Sequence, residues 1–360
     1  MRSYTARPAQ RIQTAHSKEI QQGDQEENMK PGKLSQTVWN RSVQRQLNSD
    51  WEADFLLKPS KAEACTAMSG SSEGIPLTAS ASVFGQAPSL GTYAAAKAVN
   101  DIAARGGVPM GISVSITLPE NAEEALLQEM IRQMDRLCRK FHIPIAGMQA
   151  EVSPAVRQVL IQVTALGQAE EAKLLRLVDT MPRQDIVLCG YIGLEGMLRI
   201  LDECLEELGR RFSPAFLRQM RELDSELFRF EAIRMASGSV TAMQQIGSGG
   251  ILGTLWELAE AAGVGLNVDL KKMSIRQETV ELCEYYHLNP YQMTSAGSVL
   301  MITEHGERLA QALSEGGARA SVLGVTTAGN ARVVTSGEES RFLDRPAPDE
   351  LMRWWAERLS

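Results

Sequence analysis

Ser89-Leu-Gly-Thr-Tyr-Ala-Ala-Ala-Lys-Ala-Val-Asn-Asp-Ile-Ala-Ala-Arg-Gly-Gly-Val-Pro109 reads as a helix with an unusual face. Ser89 or Thr92 is placed to cap its start, and Gly106-Gly107 stops it. At helical spacing Ala96, Asn100, Ala103 and Ala104 share one side, so another backbone can approach closely there. Asp101 sits beside that side, next to the apolar Val99 and Ile102. The run that follows alternates strictly. Met110, Ile112, Val114, Ile116 and Leu118 fall on one face, and Gly111, Ser113, Ser115 and Thr117 on the other, which predicts a half-buried strand. A polar Asn100–Asp101 pair at the end of a tight helix is either a ligand site or a pair of side chains hydrogen-bonded to nearby backbone.

Around this stretch the strands and helices alternate. Ile75, Leu77, Ala79, Ala81 and Val83 form a strand before it. Asn121-Ala-Glu-Glu124 reads as a capping box for a helix burying Leu126 to Phe141. Ile143 to Ile145 and Val159 to Ala165 supply two more strands. The first domain therefore reads as a mixed sheet with helices on one face. Further on, 34–47 reads as an amphipathic helix, 50–69 as irregular, and 168–183 as a charged helical bridge. A buried strand is predicted at 185–190, a largely helical region at 199–235, and a Gly-rich turn at 240–250. A helix at 251–262, strands at 264–270, 298–302, 320–325 and 331–335, and a tail helix with Trp354 and Trp355 complete a second α/β unit. The expected division is a leader, 1–28, without structure, a domain at 29–167, a second at 168–345, and a C-terminal helix at 346–360.

The 360 residues carry a net charge of −7 and no long basic run, which argues against a nucleic-acid partner. Five scattered Cys with no CxxC predict reduced thiols in the cytoplasm and no zinc site. Apolar runs fall short of the roughly 18 residues that a membrane span needs. The first 28 residues lack both periodic apolar residues and a signal-peptide core, and Met29 reads as an alternative start.

Five stretches resemble one superfamily: Met29 to Leu34, Val99 to Pro109, Gly147 to Val156, Gly190-Tyr-Ile-Gly-Leu-Glu-Gly196, and Gly249 to Gly265. It contains aminoimidazole ribonucleotide synthetase, selenophosphate synthetase, thiamine monophosphate kinase and a hydrogenase maturation factor. The last branch is the most similar. The resemblance implies a two-domain α/β fold and a homodimer in which the N-terminal sheets of two copies pair. It implies ATP in the cleft between domains, with Mg2+ on carboxylates and phosphates on Gly-rich turns. Asn100, Asp101, Gly249 and Gly250 are then the candidate nucleotide contacts, and Asp101, Glu151 and Glu63 the candidate metal ligands.

The chain departs from the family pattern mainly at its acids. A Gly-rich segment ending in Asp-Ala-Ala is replaced by Lys58-Pro-Ser-Lys-Ala-Glu-Ala-Cys65, where Glu63 is the nearest acid. Ala79-Ser-Ala81 has no carboxylate, Met148-Gln-Ala-Glu151 keeps one, and Gln245-Ile-Gly-Ser-Gly-Gly250 keeps none. Two readings stay open. Either the ATP–magnesium site is degenerate and the protein binds a small molecule, a nucleotide weakly or a protein partner, or a reduced carboxylate set still drives an ATP-dependent enzyme. The last Cys is Cys283, so the terminal-Cys route to a cyanide ligand is not expected, and Cys65 lacks the Gly-rich context of a reactive thiol.

Overall fold

The computed structural model describes residues 74–359 together with 36–37, 55–57, 62 and 65–68. The expected leader, most of the 34–47 helix and Glu63 lie outside the described residues.

Two sheets organise the chain. The first has six strands among the described residues: β1 (Phe55–Leu57), β2 (Cys65–Met68), β3 (Ile75–Gly85), β4 (Val108–Leu118), β5 (Ile145–Val152) and β6 (Val159–Ala169). Their order is β1-β2-β3-β6-β4-β5, antiparallel throughout except for the parallel β4–β5 pair. Helices α1 (Leu90–Ala104) and α2 (Glu124–Lys140) connect β3 to β4 and β4 to β5. Ile112, Val114, Ile116 and Leu118 are buried as the alternation predicts. Met110 is not: the β4–β6 register shifts between Pro109 and Gly111, and the side chain ends up 59% exposed.

Helix α1 is buried on nearly all sides, with Ala94, Ala95, Ala96 and Ala98 at 0% exposure. Its small residues let it lie between the first sheet and the second half of the chain. Ser89 does not cap it. The residue is already helical, and its hydroxyl donates instead to Asp202. The expected Asn121 capping box is also absent, because helix α2 begins at Glu124 after a Pro119–Ala122 turn.

The second sheet contains β7 (Asp185–Cys189), β8 (Ala242–Gln245), β9 (Gly265–Asp269), β10 (Val299–Thr303), β11 (Ala320–Thr327), β12 (Arg332–Ser336) and β13 (Glu339–Phe342). Their order is β13-β12-β9-β11-β7-β10-β8. The helices are α3 (Leu194–Glu203), α4 (Leu205–Leu208), α5 (Pro214–Glu222), α6 (Phe230–Ala236), α7 (Gly250–Ala262), α8 (Gln277–Tyr286), α9 (Gly306–Glu315) and α10 (Glu350–Leu359). Several expectations need correction. The 168–183 bridge begins as the end of β6 and then holds only 3-10 turns at Glu171–Lys173 and Leu177–Asp179, tied down by Leu175 N–H on the Arg105 carbonyl. The 50–69 stretch holds β1 and β2, and the 240–250 turn holds β8.

Candidate functional site

Helix α1 meets the second half of the chain along one stripe, and that stripe builds the site. At its start, Ser89 and Tyr93 hydroxyls both donate to the Asp202 carboxylate, the second at 2.6 Å. Burial, with Asp202 beside it, pushes the Tyr93 phenol well above its ordinary range. One turn on, Lys97 Nζ lies 3.1 and 3.0 Å from the two Glu195 oxygens and 3.0 Å from Thr294 Oγ1. Glu195 is fully buried, and Arg199 lies 3.6 Å away. Burial alone would raise this carboxyl, but Lys97, Arg199 and the Thr294 hydroxyl hold it below its ordinary value. Lys97 and Glu195 were not among the residues read from the sequence as functional. The signal was there, since Glu195 belongs to the quoted Gly190–Gly196 stretch.

At the far end of the stripe the partners become neutral. The buried Asn100 donates 2.7 Å to the Leu227 carbonyl and 3.1 Å to Gln245 Oε1, and accepts from Arg229 N–H at 3.2 Å. Gln245 Nε2 donates 2.7 Å to Asp101 Oδ1 and 2.9 Å to the Lys97 carbonyl, while its Oε1 also accepts from Gly297 N–H at 3.4 Å. The hydrogen-bonding capacity of the Gln245 amide is therefore filled on both sides. Asn100 bonds backbone of the second half of the chain rather than its neighbouring backbone, and both it and Asp101 also meet the Gln245 side chain.

A cavity of about 150 Å³ opens beside this hub, lined among others by Ser80, Lys97, Asp101, Arg105, Gln245 and Glu257. Gly247 and Thr254 from the α7 end of the site border it too. Gly249 and Gly250 form the turn that starts α7, at φ +89° and +64°. A Cβ on Gly250 would stand 2.5 Å from the Tyr291 carbonyl oxygen, so that position requires glycine. The Gly249 N–H is already engaged, 2.7 Å from Asp349 Oδ2.

Glu151 lies elsewhere. It is exposed on β5, the edge strand, opposite Thr117. The cavity touches β3 at Ser80 and Ala81, three strands away, or roughly 14 Å at the usual strand spacing. Within one chain the fold brings together Asn100, Asp101 and the start of α7, and leaves Glu151 outside. Among the described residues no group of three or more acidic, His or Cys side chains is placed to hold a metal.

With this geometry in place, sequence comparison assigns the chain. The models for the AIR synthase related protein match at residues 72–169 for the N-terminal domain and 186–336 for the C-terminal domain. The chain belongs to the AIR synthase related family and has its two-domain α/β fold. Within it, the chain falls in the HypE-like, hydrogenase-maturation branch. It is 23% identical over 276 residues to a putative hydrogenase expression/formation protein of Methanocaldococcus jannaschii, covering 75% of this chain and 80% of that one. HypE in a HypE–HypF complex superposes with a TM-score of 0.67 at 16% identity, over 86% of this chain and 99% of HypE. HypE in complex with ATP superposes at 0.62 and 18% identity, over 79% and 88%. No helix among the described residues is long and apolar enough to cross a membrane.

Proposed function

We propose that this chain is a cytoplasmic, homodimeric HypE-like protein with a degenerate ATP–magnesium site, which binds a small molecule, a nucleotide weakly, or a protein partner. The observation that carries this reading is Gln245. It stands where the family has a carboxylate, and its amide is committed to Asn100, Asp101, the Lys97 carbonyl and Gly297. Magnesium prefers oxygen ligands and needs carboxylates or phosphates to supply them. Two features support this reading: Asp101 Oδ1 accepts from an amide, and Glu151 is remote from the cleft within one chain. The 150 Å³ cavity is also about half the lower limit of the usual 300–1,000 Å³ ligand pocket.

A relative binds ATP and another forms a complex with HypF, which supports a nucleotide or a protein as the ligand class. The homodimer is proposed through the N-terminal domain, 29–167. The first sheet leaves Ser82, Ser113, Leu160, Gln162 and Leu166 exposed on the face away from its helices, a mixed surface suited to a second copy. Calorimetric titration with ATP, with and without magnesium, tests the site, and light scattering at micromolar concentration tests the dimer. Weak or absent binding, no phosphate release and a dimer are expected. Hydrolysis at an ordinary enzyme rate, abolished by Asp101→Ala, would replace this reading with a working enzyme that uses a reduced carboxylate set. A monomer would overturn the assembly.

A further inference from the structure

The two halves of the chain also meet just beyond the end of α1, outside the cleft. A hollow of about 790 Å³ lies there, and three large apolar side chains stand exposed along it. Val108 is 47% exposed and Met110 59%, both at the start of β4, and Met235, in the last turn of α6, is 67% exposed. Met235 also borders a second hollow of about 410 Å³, which runs on to the buried Leu309 and Leu313 of α9. The two hollows form one groove with Met235 as the ridge between them. Its wall on the first half is fixed. The Leu175 N–H donates to the Arg105 carbonyl at 3.1 Å, and a Cβ on Gly106 would collide with the Lys173 carbonyl oxygen.

The charges around the groove are unevenly matched. Lys173 is paired with Glu170 at 2.7 Å. Arg234 lines the first hollow and Arg308 the second, and neither guanidinium has an ion-pair partner among the described residues. Against these two unpaired cations stands one unpaired lining carboxylate, Glu231. The groove is therefore locally cationic on a chain whose net charge is −7. Exposed apolar side chains gathered in one place mark an interaction surface, and methionines suit it because they repack around different partners.

The backbone decides the form of the occupant. Strand β6 is paired on both sides here, with β3 and with β4. The part of β4 before Ile112 that β5 does not cover contains Pro109, which has no N–H to give. Neither strand offers an edge to an added strand, so the contact must be made by side chains, as in a helix laid in a groove. We propose that this groove docks an amphipathic helix of a partner protein, with apolar residues on successive turns filling the hollows on either side of Met235 and carboxylates beside them meeting Arg234 and Arg308. The groove shares no lining residue with the cavity beside Gln245, so the proposal goes beyond the reading of the cleft and does not depend on it.

The probe is a displayed library of random peptides of roughly 15 residues, about four helical turns, panned on the full chain. Selected peptides are expected to carry apolar residues at i, i+3 or i+4, and i+7, with Asp or Glu beside them. Their affinity is expected to fall about tenfold or more in Met235→Asp, and about threefold in Arg234→Glu and in Arg308→Glu. These side chains are exposed, so melting temperatures should match the wild type, and Met110→Ser on the opposite wall reads the same groove should Met235→Asp fail to fold. No enrichment, selected peptides that are basic or lack helical spacing, or equal affinities for the folded variants would overturn the docking site. Light scattering supplies the remaining check: a dimer that Met235→Asp dissociates would mean that a second copy covers the groove, which also overturns it. ATP titrations of wild type and Met235→Asp should agree, since the cleft is a separate site.

Discussion

Two buried carboxylates stand in the second half of the chain, Glu195 in the first turn of α3 and Asp349 just before α10, and they are held in opposite ways. Glu195 has two cations, Lys97 and Arg199, and stays ionised below its ordinary range. Asp349 has two backbone N–H groups and no cation within ion-pair distance, and burial raises it to about 6. Burial is common to both, so the difference lies in the partner. A carboxylate fixed by cations is part of the charged frame, whereas one held by backbone amides takes up a proton more readily as burial raises it. Gln245 is neutral and fully bonded, and it meets the Asp101 carboxylate with an amide donor.

The largest break comes from Glu195→Ala, which leaves Lys97 and Arg199 facing each other in a buried site. Removing one partner of a buried pair costs about 3–5 kcal/mol. Thermal unfolding is expected to fall by on the order of 10 °C. A change under about 2 °C would place Glu195 with the ordinary surface pairs.

Asp349 sharpens the contrast through pH. A carboxyl raised in the folded state from 3.8 to about 6 makes the native protein bind a proton that the unfolded chain releases. Its contribution is fully present below 3.8 and is lost as pH rises through about 6. The stability of the wild type relative to Asp349→Asn should therefore decline between pH 4 and 7, by up to roughly 3 kcal/mol. Glu195 has the opposite sign, its stabilisation being lost as pH falls below its ordinary 4.5. Urea midpoints from pH 7 down to about 3 read both, and a flat Asp349 difference would mean the carboxyl is not raised.

Gln245→Glu would place a carboxylate against Asp101. In EDTA at pH 8 a loss of about 1–3 kcal/mol is expected, from like-charge repulsion and the loss of the amide donor. The loss should shrink near pH 5, when one member of the pair takes a proton. Equal losses at the two pH values would show that Asp101 does not face the new charge. The smallest effect belongs to the exposed Arg210–Glu206 pair, 3.0 Å apart on one helical turn. Glu206→Gln should change stability by less than about 0.5 kcal/mol, and a larger change would undo the distinction between frame and surface.

Much of this architecture is legible in the chain. The period-two run ending at Leu118 and the small-residue helix before it carry enough repeats for burial to follow the pattern. Strand β8 is not legible: Ala242–Gln245 has no alternation because all four residues are buried in the sheet, and the glycines after it suggest a turn. Helix α8 and strand β13 also go unread. The sequence marks Asn100 and Asp101 as a polar pair in a helix, but their partners Leu227, Arg229 and Gln245 lie 127 to 145 residues away. Local spacing carries no information about such contacts, and the same holds for the Asp349–Gly249 bond.

The thiols add a built-in clock. Cys138, Cys189, Cys204 and Cys283 are free and buried, and burial lifts three of them to about 11, 11 and 12. Because alkylating reagents attack the thiolate, these four stay silent while the chain is folded. They lie on α2, β7, the turn after α3, and α8, in both halves of the molecule. The order in which they become labelled in dilute denaturant would record, in a single mass-spectrometry series, which half opens first and whether the two open together.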